Sequence, residues 1–189
     1  PADDYFALLT ENDGSGLGGD LDVAIGRIPV ETLVEANNVV DKLINYDNEP
    51  TTMRDWRNRI TFVSDDDEGE NAWTHVKPSE RHYIDFKMKY PNFNMDKLYL
   101  DAFPQIATSG GPKYPSVNEA IDQTMFKGVL LINYFGHGGP KGWAQERVLK
   151  IENIINWDNK DRLPLFVTAT CTFTGYDSPK AKSAGEEVF

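Results

Sequence analysis

The chain has 189 residues, 40% of them hydrophobic and 26% charged, a balance that suits one large domain with a packed core and excludes global disorder. Its net charge of −11 argues against a nucleic-acid backbone as partner, because lysines and arginines would have to neutralise the phosphates. A single cysteine excludes an internal disulfide, and no stretch approaches the ~18 apolar residues of a membrane span.

In chain order, "DYFALL" (residues 4–9) reads as a short strand. A Gly/Asp/Asn loop follows at 10–20. Its "GSGLGG" lacks the glycine spacing, the following helix and the Lys-Ser/Thr of a phosphate-binding fingerprint. "VAIGRIPV" (23–30) is a second strand-like run. Leu33, Ala36, Val40, Leu43 and Ile44 recur at helical spacing, which predicts one amphipathic helix. "NRITFVS" predicts a strand running into the acidic loop "DDDEGEN". Residues 75–90 read as a helix with Tyr83, Phe86 and Tyr90 on its apolar stripe. "MDKLYLDAF" is a strand. "SVNEAIDQTMFKG" is a helix, with Ser116 and Glu119 as a capping box and Gly128 as its C-cap. "VLLINYFG" is a strand, "RVLKIENIINW" a helix and "PLFVTATC" the last strand.

From residue 59 onward, strand and helix alternate. That order predicts an α/β fold, a mostly parallel sheet with helices on both faces. The continuous apolar character of "VLLINYF" and "LFVTA" fits strands buried on both sides. The chain opens on Pro1 without a methionine and stops at Phe189, and it reads as a fragment of a larger protein.

Ligands of such sheets bind outside the carboxyl ends of the strands. His137 stands at one such end, between Gly136 and Gly138, and Cys171 stands at another. A strand, a crossover and a returning strand fit their spacing, so imidazole and thiol are expected to be neighbours. A thiol needs help to ionise at neutral pH, and a histidine supplies it as base or as ion-pair partner. The N–H groups of Gly138 and Cys171 are candidate donors to a developing oxyanion. Taken singly, Cys171 also fits a small buried hydrophobe and His137 a turn residue. Their shared place at two strand ends is what points to catalysis. A histidine-based metal site is not indicated, because His75, His82 and His137 form no spaced pair with carboxylates on one helix face.

"INYFGHGGPKGWA" resembles the histidine motif of the gingipain family of cysteine peptidases, and "FVTATCTFTG" resembles its cysteine motif. "GRIPV" is similar to the segment that precedes the catalytic subdomain there. The resemblance spans nearly the whole chain and implies a caspase-like fold. It places residues 1–57 at the end of an N-terminal subdomain. Residues 58–189 become a catalytic subdomain truncated at its C-terminus. It implies His137 as catalytic histidine, Cys171 as nucleophile and Gly138 with Cys171 as the oxyanion hole.

The family's acidic third residue aligns best with Asp66, with Asp65 and Asp67 one position away. Glu80 and Trp143 are the candidates for contact with substrate. The acidic residue that confers arginine specificity on some members has no clear counterpart. No cofactor is required. Calcium is the structural ion implied by the resemblance, with Asp65, Asp67 and Glu68 as candidate ligands. The segments are most similar to the sortase branch of the family, which implies protein substrates, secretion-system subunits, a surface-polysaccharide acceptor and a cell-surface location. The competing expectation is a non-catalytic pseudo-peptidase module that docks in a secretion assembly.

Overall fold

The computed structural model describes residues 3–10, 19–67, 74–178 and 181–189. Helix α1 (Leu33–Asn48) starts at a capping box: the Thr32 side chain accepts from the Glu35 N–H, and the Glu35 carboxylate accepts from the Thr32 N–H. The predicted helix is therefore present, but only Val39 on it is buried. Leu33, Val34, Val40, Leu43 and Ile44 are exposed.

Strand β1 (Arg59–Ser64) is buried at every position after Arg59. Helix α2 (Val76–Lys89) follows, then strand β2 (Asn94–Tyr99) and a small hairpin of β3 (Ile106–Thr108) and β4 (Gly111–Lys113). Helix α3 (Pro115–Lys127) leads to β5 (Leu131–Phe135). Three two-residue strands come next: β6 (Gly138–Gly139), β7 (Gly142–Trp143) and β8 (Leu149–Lys150). Helix α4 (Ile151–Ile154), strand β9 (Leu165–Ala169) and helix α5 (Ala184–Glu187) complete the order.

The main sheet has strand order β2-β1-β5-β9, and every pairing in it is parallel. Alternation along β1 divides the two faces. Phe62 meets Tyr83 and Phe86 of α2 edge-on, at ring-centroid distances of 5.8 and 6.0 Å. Val63 points the other way, into a core with Ile132 and Tyr134 of β5 and Val117, Ile121 and Met125 of α3. Helices therefore cover both faces, as the alternating pattern predicts.

Several expectations need correction. Residues 4–9 are not a strand; Asp3–Ala7 form a 3-10 helix. Residues 23–30 form no strand either, and Val23, Ile25 and Ile28 are exposed. An apolar run becomes a strand only when a neighbour pairs with it, and none does here. Helix α3 begins at Pro115, with Tyr114 as its N-cap, so Ser116 lies inside the first turn and makes no cap. Proline at the first helical position has no N–H to leave unpaired, which favours that start. Gly128 does end α3, with φ +84°. The long helix expected over 147–157 shrinks to α4, because Arg147 has φ +59° and Leu149 pairs with Trp143.

Candidate active site

Three strand ends meet at the carboxyl edge of the sheet. Pairing continues one step past the strands: the Asp65 N–H donates to the Phe135 carbonyl at 3.0 Å, and the Gly136 N–H donates to the Ala169 carbonyl at 3.3 Å. Within β5 and β9, Phe135 is paired with Ala169. His137 and Cys171 therefore each stand two residues beyond a paired position, on neighbouring parallel strands. Both are exposed. Gly138 packs against Thr170, the residue before the cysteine; a Cβ at Gly138 would stand 2.3 Å from Thr170 Oγ1. Thr172, just after the cysteine, has φ +47°. A β-branched residue there is strained, and such strain concentrates where a side chain must be presented at a sharp turn.

The main chain of His137 is held from both sides. Its N–H donates to Asp65 Oδ2 at 2.8 Å, and its carbonyl accepts from the Tyr134 hydroxyl at 2.6 Å. Gly136 makes that approach sterically feasible, since a Cβ there would fall 2.3 Å from Asp65 Cβ and 2.6 Å from the Tyr134 hydroxyl. Asp65 is buried, and burial pushes its carboxyl up to about 6. The His137 amide works in the opposite direction, and the neighbouring Asp66 charge adds to the rise.

His75 is the residue that sequence reasoning missed. Its ring lies edge-on to that of His137, with centroids 4.8 Å apart and planes at 78°. His75 Nδ1 lies 3.1 Å from the Asp66 carbonyl, which can only accept. Nδ1 therefore carries the proton in the neutral ring, and Nε2 keeps its lone pair. The His75 N–H donates to Asp67 Oδ1 at 2.7 Å, which fixes the start of α2 beside the end of β1. Asp65, His75 and His137 each place a ligand-capable atom within 4.8 Å of the others. The convergence of β1, α2 and β5 on this cluster was not visible to a reading that considered spaced pairs on one helix face.

The remaining candidates fall as follows. Asp66 is buried, and its carboxylate accepts from the Tyr114 hydroxyl at 2.9 Å and from Gln105 Nε2 at 3.4 Å. The carboxylate bonded to the histidine residue is Asp65, one position earlier. Asp67 serves the His75 amide. Glu68 lies outside the described residues. The carboxylates that converge are Asp65, Asp66 and Glu146, all buried and within 4.8 Å of one another. Hard carboxylate oxygens of this kind are the ligands calcium takes. Glu80 is engaged by Lys97 at 3.0 Å and by the Tyr99 hydroxyl at 3.0 Å, so its charge is already met.

Trp143 is corrected outright. It is 0% exposed and stacks on Tyr134, with centroids 4.3 Å apart and planes at 6°. It underlies the site and cannot touch a substrate from solvent. Above it, the β6–β7 turn makes an open hollow of about 410 Å³ beside His137, lined by Gly138, Gly139, Lys141, Ala144 and Arg147. A thiol, an imidazole and a hollow at one sheet edge are the parts needed for nucleophilic attack on a bound carbonyl.

Residues 1–189, the whole chain, match the sequence model of peptidase family C25. The chain belongs to this family, the gingipain family of cysteine peptidases. Its fold is also that of solved gingipains. The crystal structure of the Arg-specific cysteine proteinase gingipain R matches with a TM-score of 0.74 at 18% identity, over 98% of this chain and 39% of that one. The complex of Porphyromonas gingivalis RgpB pro- and mature domains matches at 0.71 and 18% identity, over 98% of this chain and 40% of that one. A third structure, described as a protease, matches at 0.54 and 17% identity, over 79% of this chain and 30% of that one. The chain thus spans about two fifths of the length of the first two. No curated protein matches it.

Proposed function

We propose that this chain carries the histidine–cysteine centre of a gingipain-type peptidase. The observation that carries the reading is the register of β5 and β9, which sets His137 and Cys171 at equivalent places past the Phe135–Ala169 pair. In this reading the Cys171 thiolate attacks a peptide carbonyl carbon, forming a C–S bond while the carbonyl electrons move onto oxygen. The Gly138 and Cys171 N–H groups receive that oxyanion. Collapse breaks the C–N bond, and His137 gives its proton to the leaving amine. A thioester remains. Water or an amine then attacks it, its proton passes to His137, and the thiolate is restored.

The finer role is that of PorU, the gingipain-like sortase of the type IX secretion system in Bacteroidetes. Such a protein works at the cell surface, removes C-terminal sorting domains from secreted cargo and joins the cargo to a surface polysaccharide. "GHGGPKGWAQERVL", "DWRNRITFVSDDDEG" and "PLFVTATCTF" support it by their similarity to that branch. The pairing of Glu80 with Lys97 leaves a basic substrate side chain without support from that carboxylate.

The test uses the full-length protein. At pH 6, Cys171 is expected to react with iodoacetamide far faster than the same thiol in denaturant, and Cys171→Ala is expected to abolish cargo cleavage. Mass spectrometry of the cargo's new C-terminus separates hydrolysis from transfer to an amine. Cleavage at the wild-type rate by Cys171→Ala would refute the nucleophile. Slow alkylation with no cleavage of any cargo would instead establish a pseudo-peptidase.

A further inference from the structure

We propose that Asp65, His75 and His137 form a binding site for a divalent ion of the Zn²⁺ class, and that the bound ion withdraws His137 from Cys171 and so silences the centre. The silencing rests on the peptidase reading above; the binding does not. Three protein ligands at the mouth of a site are the usual complement for zinc, with the fourth position left to water or substrate. Here one carboxylate and two imidazoles hold their ligand-capable atoms within 4.8 Å of one another. Imidazole nitrogens select zinc, copper or nickel over calcium and magnesium, which favour oxygen alone.

The outer partners are those of a metal site. The Asp66 carbonyl takes the Nδ1 proton of His75, which leaves the Nε2 lone pair for an ion and fixes the ring. Asp65 is anchored by two backbone amides, His137 N–H on Oδ2 and Asp66 N–H on Oδ1 at 3.2 Å. Each carboxylate oxygen has two lone pairs, so both retain capacity for an ion. The burial of Asp65 and the exposure of His137 give the cluster a charged floor and an open mouth.

The competing ligand is Cys171, whose thiolate binds zinc more avidly than a carboxylate does. Its place past the end of β9, the strand paired with β5, makes it the alternative occupant, and the experiment separates the two. The metal-stripped full-length protein is titrated with Zn²⁺ by calorimetry and with Co²⁺ by visible absorption, without any peptide present. One ion per chain is expected, with nitrogen- and oxygen-bound Co²⁺ bands. His75→Ala and His137→Ala are each expected to weaken Zn²⁺ by more than about 100-fold, beyond the roughly 10–100-fold that loss of an outer partner costs. Cys171→Ala is expected to stay within about threefold of wild type, a fraction of one tenfold step in affinity. The exposed His82→Ala serves as control.

In the active protein, Zn²⁺ is expected to stop cargo cleavage, and a chelator to restore it. His75→Gln keeps a polar side chain in place and reports the same loss of affinity should His75→Ala misfold. Unchanged Zn²⁺ affinity in both His75 variants, or loss of binding in Cys171→Ala together with a thiolate-to-cobalt charge-transfer band, would overturn the proposal. Failure of the peptidase reading shows separately, as cleavage that survives Cys171→Ala while the metal titrations remain as expected.

Discussion

The backbone N–H of His137 donates to the Asp65 carboxylate at 2.8 Å, tying the end of β5 to the end of β1 across the sheet edge. This contact positions the histidine through its main chain. Asp65→Ala removes the acceptor and leaves amides unpaired, at a cost of about 1–3 kcal/mol. Asp65→Asn keeps one oxygen and is expected to lose less. Urea unfolding of the two variants checks this order; equal midpoints for Ala, Asn and wild type would show that the tie contributes nothing.

Cys171 is exposed, so its side chain fills no core volume. Cys171→Ala is therefore expected to change stability by no more than about 0.5 kcal/mol while removing activity. Thermal unfolding beside the cleavage assay reads both. A large fall in midpoint would mean that the cysteine is structural after all.

Trp143 carries the opposite expectation. It is enclosed by Tyr134, Phe166 and Phe173, with ring centroids 4.3, 6.0 and 5.7 Å away. Trp143→Ala is expected to cost about 3–5 kcal/mol, as for other buried large aromatics. Trp143→Phe is expected to recover much of that. A raised KM with unchanged stability would instead restore a substrate-binding role.

The strands β1, β5 and β9 were legible as short apolar runs, although β9 lies at the sheet edge with Leu165 and Val167 exposed and is not buried on both sides as its composition suggested. Helices α1, α2 and α3 were legible because their apolar residues repeat with helical period. The placing of His137 and Cys171 two residues past the ends of neighbouring parallel strands followed from the alternation of strand and helix. The strand at 23–30 was misjudged because an apolar run says nothing about whether a partner exists. Trp143 was misjudged because its quoted motif is Gly-rich and looks like open loop, whereas the β6–β7 turn folds the indole inward. His75 was invisible because its partner is far along the chain, and only the fold brings the head of α2 to the end of β5. Choosing between Asp65 and Asp66 needed the fold, since their carboxylates lie within 4.8 Å of each other and the difference is that Asp65 accepts the His137 N–H while Asp66 accepts the Tyr114 hydroxyl.

Glu35 gives a pH dependence with a definite sign. Its carboxylate meets the Lys182 ammonium and the amides of Glu31 and Thr32, tying α1 to the segment before α5. The Lys182 hydrogen bond, with those amides, holds its carboxyl down at about 2, against an ordinary 4.5. A carboxyl lowered on folding contributes stability above its unfolded pKa and loses it as pH falls through the folded one. The stability gap between wild type and Glu35→Gln is therefore expected to be full above pH 4.5 and to close as pH falls toward 2. Unfolding midpoints at pH 7, 4 and 3 test it, and added salt is expected to narrow the gap because the pair is only half-buried. A gap that stays constant with pH would show that Lys182 adds nothing.

The contact between Gly138 and Thr170 joins the histidine loop to the cysteine loop. In Gly138→Ala the new methyl would stand 2.3 Å from Thr170 Oγ1 and 3.1 Å from its Cγ2, so one loop must shift. Overpacking of this kind costs about 1–3 kcal/mol. The shift would also move the Gly138 N–H relative to the nucleophile, so the cleavage rate is expected to fall by more than the stability loss explains. Thr170→Ala removes both crowding atoms and leaves only Cβ, at 3.3 Å. The double variant Gly138→Ala/Thr170→Ala is therefore expected to be more stable and faster than Gly138→Ala alone, with a coupling of about 0.5–3 kcal/mol in a double-mutant cycle. Strict additivity of the two substitutions would mean that the loops do not press on each other. Stability recovered without rate would mean that the glycine serves packing alone and that its amide has no part in the chemistry.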